Sequence, residues 1–545
     1  MVPRGIRDVW LVWLALATVT TLPYVVAALR TPEGDVFTGV LTAYDDTFTY
    51  LAWMRQSADG HLLACDLFTS EPQACEFFLP LWVALGFVSR IAHAPIALSF
   101  HAARLLATLL LLIVARIVAA SVMKSRTRLR YTLWMYAMSG GLGWLVFSLK
   151  NRNELIGGVA SGSIDLTMPE AIAFRAGYAQ VHFAVGTSLL CWAILLYFRG
   201  LVEKRAGRAA VAGLLISLLA VVHPYMVVVG FLIAIAALLT WPLLAPEMIG
   251  RTQKLQMARV AVVFGVTMIP GVAYLVYLDR SNWVAHEWLR VTNTSSPAPW
   301  EYALGFGALL VLGVLGFRLV LRTRVSYGRL LLVWFLAQAA LLYLPVNFQR
   351  RLVEGLQLPI SIVASVAVLY ISNRISRNSR KYRRAFLTLV LVVVSLTNIG
   401  FIVGQTISAA SIDIADRRRY VSADLIDSFQ WLRANAQRDA VVFSSYLTGN
   451  LTPSMTGLRV FLGHYGQTVR SDEKGAQVTA FYAGGLSEGD ARQLFADHRV
   501  RYVIYGPFER AISENFAAPK WLRLAHRAGD VELYEVTNHD ASNHR

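Results

Sequence analysis

Apolar residues run through most of this chain in long blocks rather than in alternation. Eleven stretches, 9–29, 95–121, 131–149, 179–198, 209–222, 225–245, 260–279, 302–320, 328–346, 357–373 and 385–407, are predominantly apolar. Most approach the roughly 20 residues a helix needs to cross a hydrocarbon layer. The pattern therefore predicts eleven membrane spans. A further stretch at 79–92 is too short to cross and opens on Leu79-Pro80, so it is read as a helix lying along the interface. The run from 209 to 244 is two spans long with His223-Pro224 near its middle. Proline interrupts a helix by removing a hydrogen bond and crowding the preceding turn, so His223-Pro224-Tyr225 is predicted to be a tight turn.

After about Ala409 the pattern changes. An amphipathic stretch at 424–436, an apolar strand-like run at 440–444, a helix-like stretch at 490–498 and strand-like runs at 501–505 and 531–535 replace the long apolar blocks. The division predicted is a transmembrane region at 1–409, with a first external loop and its interfacial helices at 31–94, followed by an α/β domain at 410–545. No internal repeat is visible.

Composition agrees with a chain that lives in lipid: 56% of residues are apolar, 16% are charged and the mean hydropathy is +0.49. The net charge of +17 does not point to nucleic acid, because the basic residues fall in short clusters between apolar runs. With the 79–92 helix on the surface, the clusters Arg4/Arg7, 124–130, 199–208, 251–259, 318–329 and 374–384 all fall on one side. That is the arrangement the positive-inside rule requires. It places the N-terminus in the cytoplasm, and the first loop and the tail outside. Lys150 and Arg152 fall on the outer side against this trend. The first apolar run lacks a secretory cleavage pattern and is read as a retained span, which suits a multi-pass protein of a bacterial inner membrane.

The chemistry gathers on the predicted outer face. Asp45 and Asp46 are adjacent carboxylates just after the first span, where charge beside apolar helices is unfavourable unless it has a function. A carboxylate within hydrogen-bond reach of an acceptor hydroxyl takes its proton. Two adjacent acids point in different directions, so one is the candidate base, while the other positions the acceptor or binds a divalent cation. The structural alternative is that Asp45 caps a helix starting near Thr47. Arg350 and Arg351, in Asn347-Phe-Gln-Arg-Arg-Leu-Val-Glu-Gly-Leu, lie outside against the usual bias, and guanidinium groups suit phosphate oxygens; headgroup anchoring is the alternative. His223, with Tyr225 beside it, and His182 are candidate donors to a phosphate or to sugar hydroxyls. Glu170 and Arg175 stand in the loop before the fourth span, as substrate contacts or as solvated charges. Arg104 lies within the second span, where an unpaired cation is unfavourable, and is a candidate carrier contact. Cys65 and Cys75 share the first loop, in an oxidising compartment on this topology, and are a candidate pair. Asn450-Leu-Thr and Asn293-Thr-Ser match the N-glycosylation acceptor pattern.

The segment Thr42-Ala-Tyr-Asp-Asp-Thr-Phe-Thr-Tyr50 resembles the first external loop of the GT-C class of membrane glycosyltransferases. The stretch around Arg350 and Arg351 resembles the one before a late span in bacterial GT-C proteins, where an arginine meets the carrier phosphate. Gly457-Leu-Arg-Val-Phe-Leu-Gly-His-Tyr-Gly-Gln-Thr468 and Tyr502-Val-Ile-Tyr-Gly-Pro-Phe-Glu-Arg510 are similar to external segments of large bacterial GT-C-like proteins, without implying a catalytic role. The resemblance implies an inverting glycosyltransferase that moves a sugar from a polyprenyl-phosphate carrier to a glycan, lipid or protein acceptor of the cell envelope. A transporter or lipid flippase, and a non-catalytic envelope-assembly protein on the same scaffold, are the competing readings.

Overall fold

The computed structural model of this protein describes residues 4–149, 162–244, 251–291, 293–322, 326–375, 379–411 and 417–537. Lys150 and Arg152, the two charges that opposed the predicted topology, lie outside the described residues. Among the described residues seven helices are long and apolar enough to cross a membrane: Arg7–Leu29, Ile96–Ala119, Val181–Glu203, Arg251–Ser281, Pro299–Leu321, Gln349–Ile375 and Arg380–Ala410. Ala206–Val222, Met226–Trp241 and Tyr327–Leu341 are apolar but shorter, at 10–17 residues. Seventeen residues of helix rise only about 25 Å, against a hydrocarbon layer of about 30 Å. Among the described residues seven of the eleven apolar blocks therefore meet both criteria, and three form these shorter helices. Pro80–Ile91 is a 12-residue helix, too short to cross as expected. The helix Ala206–Val222 ends at His223 and the next starts at Met226, so the proline turn is where the sequence placed it.

The third predicted span is not one helix. Arg126–Met138 stops and Gly143–Leu149 restarts, with Ser139-Gly-Gly-Leu between them. Glycine is about 1 kcal/mol worse than alanine in a helix, and here tertiary partners take over the freed backbone. Asp165 Oδ2 accepts from the amides of Gly141 at 2.7 Å and Gly143 at 3.3 Å. The Leu142 amide donates to the Leu304 carbonyl at 2.8 Å. A Cβ on Gly141 would stand 2.2 Å from that same carbonyl oxygen, so only glycine fits. The neighbouring helix Pro299–Leu321 is itself broken at Gly307, whose φ is +45°.

By compactness the chain divides into two units, one of Met1–Pro23, Ala102–Val276 and Asn293–Ile407, the other of Tyr24–His101, Tyr277–Thr292 and Ser408–Arg545. The sequence divides at 409/410 by composition; compactness instead groups the first loop with the tail. In the first unit helices approach through small residues, as membrane helices do when packing rather than water exclusion drives association. A Cβ on Gly316 would collide with the Val363 carbonyl, and one on Gly271 would stand 2.5 Å from the Ser217 carbonyl oxygen.

Among the described residues the second unit has seven strands, β1 (Asp35–Phe37), β2 (Tyr420–Ser422), β3 (Val441–Phe443), β4 (Arg459–Val460), β5 (Val500–Tyr505), β6 (Leu522–Ala528) and β7 (Val531–Val536). β1 pairs antiparallel with β2, joining the first loop to the start of the tail. The other five form a mixed sheet in the order β4-β3-β5-β7-β6, parallel across β4-β3-β5 and antiparallel across β5-β7-β6. Phe443, Phe461, Phe481, Tyr482, Phe495 and Trp521 fill the core on one side of it. Cys65 and Cys75 form a disulfide. The loop they close is fixed to the tail by Lys474, whose buried ammonium lies 2.7 Å from Glu71 and donates to Ser70 at 3.0 Å.

Candidate active site

The helix Tyr44–Ala58 carries Asp45 and Asp46 in its first turn, where the helix dipole favours negative charge. Asp45 is not its cap: the N-cap is Ala43, in a left-handed conformation with φ 49°, and no side chain caps the helix. A non-glycine residue there is disfavoured by about 1–2 kcal/mol; within the helix, consecutive residues are turned by about 100°, which sends the two carboxylates into different surroundings. Asp45 accepts from Arg418 Nη1 at 2.9 Å and from the Tyr446 hydroxyl at 2.6 Å. Arg418 is buried, also donates to Asn450 Oδ1 at 2.8 Å, and lies over the Tyr44 ring. Burial, with Asp45 adding to it, holds the Tyr446 phenol well above its ordinary range, so it stays a donor at neutral pH.

Asp46 is different. Its side chain is 50% exposed, with Oδ1 4.0 Å from His464 Nε2. The His464 ring is buried, and its Nδ1 accepts from the amides of Gly466 at 3.0 Å and Gln467 at 3.1 Å. With Nδ1 an acceptor, the neutral ring carries its hydrogen on Nε2, the nitrogen that faces Asp46. Burial holds the imidazole below its ordinary range, outweighing the attraction of Asp46 and Asp45, so the neutral form is favoured. One carboxylate is thus held by a cation and a phenol, while its neighbour faces solvent and a neutral N–H. A half-exposed carboxylate and a neutral N–H donor therefore stand side by side there.

The remaining candidates lie in the first unit. Arg350 and Arg351 sit on the short 3-10 turn Gln349–Val353. The turn is pinned by Arg350 N–H to the Thr294 carbonyl at 3.0 Å and by the Ser296 amide to Gln349 Oε1 at 3.0 Å. Glu170 is buried, not solvated, with Oε1 3.6 Å from Arg350 Nε and 3.7 Å from Arg351 Nη1. These distances are ion-pair range but too long for hydrogen bonds, and two guanidiniums face one carboxylate. His223 Nδ1 lies 2.7 Å from Glu354 Oε2, and Thr187 donates to Glu354 Oε1 at 3.0 Å. The His182 ring meets His223 edge-on at 5.2 Å, and Tyr225 packs on Phe348 at 4.9 Å. Arg175 is half-buried rather than freely solvated: it donates to the Leu166 carbonyl at 2.9 Å and lies 3.5 Å over the Phe401 ring, and desolvation pushes its pKa down to about 10. Arg104 is enclosed and donates to the Gly177 carbonyl at 2.8 Å and to Thr20 and Thr21 at 3.3 Å. Those contacts bind helices together, which is a structural use of the cation.

Sequence reading did not single out Arg418, Tyr446 or Glu354. Arg418 stands in a basic run at the end of a span, and Glu354 inside the Arg350 segment, so neither announces a partner. Asn450 matches a glycosylation pattern, yet its amide is buried and donates to the Gly463 carbonyl at 2.8 Å, which closes it to modification in the folded chain. Among the described residues no group of three or more His, Cys, Asp or Glu could hold a metal ion. Asp45 already faces a guanidinium, so the acid pair does not offer the set of oxygen ligands a divalent cation takes.

No protein-family profile and no curated protein sequence matches the chain. Solved structures do. ArnT from Cupriavidus metallidurans, solved bound to undecaprenyl phosphate, is 12% identical with a TM-score of 0.54, over 96% of this chain and 98% of that one. Arabinofuranosyltransferase AftD from Mycobacteria is 14% identical with a TM-score of 0.55; it covers 96% of this chain, which spans 40% of its length. The Archaeoglobus fulgidus oligosaccharyltransferase tethered to an acceptor peptide is 13% identical with a TM-score of 0.51, over 91% of this chain and 69% of that one. The chain has the GT-C fold, that of a polytopic helical membrane protein with an external α/β part.

Proposed function

We propose that this protein is an inverting membrane glycosyltransferase, which takes a sugar from a polyprenyl-phosphate carrier and passes it to a cell-envelope acceptor on the non-cytoplasmic face of a bacterial inner membrane. The observation that carries the reading is the unequal environment of the acid pair: Asp45 is held by Arg418 and Tyr446, which leaves Asp46 half exposed beside the His464 N–H. In the reaction Asp46 takes the proton of an acceptor hydroxyl as its oxygen attacks the anomeric carbon. The bond from that carbon to the carrier phosphate breaks, and the phosphate leaves with the electron pair. One displacement inverts the carbon. Arg350 and Arg351 are assigned to the phosphate, where fixed positive charge stabilises the leaving group; His223, oriented by Glu354, is a further donor. Two neighbours support the donor class, since one was solved with undecaprenyl phosphate and another is named an arabinofuranosyltransferase. No step is routed through a metal ion.

Interrupted helices at Ser139–Gly143, where the buried Asp165 accepts the Gly141 and Gly143 amides, and at Gly307, which packs on Gly141 and Leu142, are the observation that favours the transporter reading, since transporters use such breaks. The two readings separate in a deletion strain. The glycosyltransferase reading expects a polyprenyl-linked sugar and a truncated glycan to accumulate, seen by mass spectrometry of extracted lipids. A strain with unchanged envelope glycans and a lipid displaced between leaflets would support transport instead.

The proposed topology is checked by labelling. Cys191 is buried and the other two cysteines are paired, so the native background is low. An Asp472→Cys protein, altered at an exposed position of the tail, is expected to react with an impermeant maleimide in intact spheroplasts. Labelling that appears only after permeabilisation would put the tail in the cytoplasm and overturn the assignment.

A further inference from the structure

The segment Gly463-His-Tyr-Gly-Gln467 enters the proposal above only through the His464 N–H, and its most exposed residue has no role there. Tyr465 is 71% exposed, the most open tyrosine among the exposed large side chains of the described residues. Its ring lies nearly parallel to the buried imidazole of His464, with centroids 5.1 Å apart and planes 14° apart. Its backbone is fixed as well, because the Tyr465 amide donates to the Tyr446 hydroxyl at 3.3 Å, the hydroxyl that also binds Asp45. His464 is in turn locked by the Gly466 and Gln467 amides on Nδ1, and the loop behind it by Thr468, whose hydroxyl accepts the Gly463 and His464 amides and donates to the Phe68 carbonyl at 2.6 Å.

Tyr465 thus presents an exposed aromatic ring on a rigid support. Here it is tied, through one imidazole, to the half-exposed carboxylate assigned as base. We infer that Tyr465 and His464 form the acceptor platform of the protein and that the acceptor it receives is a saccharide. A pyranose presents a face of C–H bonds that matches the electron-rich face of a tyrosine ring, while its rim carries the hydroxyls that Asp46 and the His464 N–H are built to meet. A peptide would ask instead for an open strand edge or a pocket for side chains, and an acyl chain for an apolar groove; neither is a single flat ring beside a carboxylate and an N–H donor.

The inference rests on the glycosyltransferase reading for its direction but is tested by binding alone. The full-length protein in detergent is titrated with a panel of pyranose trisaccharides, α- and β-linked gluco, galacto, manno and N-acetylglucosamine forms, and, separately, with an acceptor-type hexapeptide and with undecaprenyl phosphate. At least one trisaccharide is expected to bind. Tyr465→Ala is expected to weaken it tenfold or more, Tyr465→Trp to hold it within about threefold because the stacking face is kept, and neither to move undecaprenyl phosphate affinity. The exposed position makes misfolding of either variant easy to exclude by thermal melting. Saccharide affinity unchanged in Tyr465→Ala, a Trp variant as weak as the Ala one, binding of the peptide in place of every saccharide, or no saccharide binding at all would each overturn the platform. Saccharide binding that depends on Tyr465 in a protein that transfers no sugar would leave the platform standing and remove the enzyme reading instead.

Discussion

Asp46→Asn is expected to abolish sugar transfer while leaving donor binding intact. Asparagine keeps the shape and the hydrogen-bond reach of the side chain but cannot accept the acceptor's proton. General-base catalysis is typically worth about 10²–10⁴-fold, so kcat should fall by that order, with undecaprenyl phosphate affinity unchanged. Asp45→Asn should behave differently, because Asp45 faces a buried guanidinium. Its loss of charge leaves Arg418 uncompensated, and breaking a buried ion pair is commonly destabilising by about 3–5 kcal/mol; this pair is part-exposed on the Asp45 side, so a smaller fall is expected, read as a lower melting temperature before any kinetic effect. The two substitutions thus separate a proton acceptor from the residue that holds the site's cation. An Asp46→Asn protein of normal stability that still transfers within tenfold of the parent would sink the assignment of Asp46 as base.

Much of this architecture was legible in the chain, and the parts that were not have a common cause. Apolar blocks announced helices, and His223-Pro224 announced the turn between two of them, because both effects are local. The break at Ser139–Gly143 was hidden, since its decisive partners, Asp165 and Leu304, are distant in sequence. In the tail the runs at 440–444, 501–505 and 531–535 became β3, β5 and β7, while β4 was missed because two residues carry no period. The helix Tyr446–Thr456 was missed because Gly449 and Pro453 argue against it locally; it forms where a Cβ on Gly449 would strike the Leu462 carbonyl. The acid pair could be found from sequence, but not the difference between its members. That difference is made by Arg418, Tyr446 and His464, more than 370 positions away along the chain.

Replacing both Arg350 and Arg351 by alanine is expected to weaken polyprenyl phosphate binding by roughly a hundredfold or more. A hydrogen bond to a charged group contributes about 1.5–3 kcal/mol, two are removed, and each 1.4 kcal/mol is about tenfold in affinity. The double substitution alone is a poor test, because it strands the buried Glu170 carboxylate without its two cations. The informative protein therefore adds Glu170→Gln, which removes the stranded charge and keeps the shape. Glu170→Gln by itself carries the opposite sign. Its carboxylate stands 3.6 and 3.7 Å from the two guanidiniums and competes with a phosphate for them, so its neutralisation should tighten binding. Lysine at 350 and 351 should recover only part of the loss, since ammonium restores charge without the two-pronged geometry of guanidinium. Native mass spectrometry with undecaprenyl phosphate reads all four proteins on one scale. If the triple variant binds as well as the parent, the arginines anchor the turn at the membrane surface and the carrier phosphate is held elsewhere. If Glu170→Gln weakens binding instead of tightening it, Glu170 positions the two guanidiniums rather than competing for them.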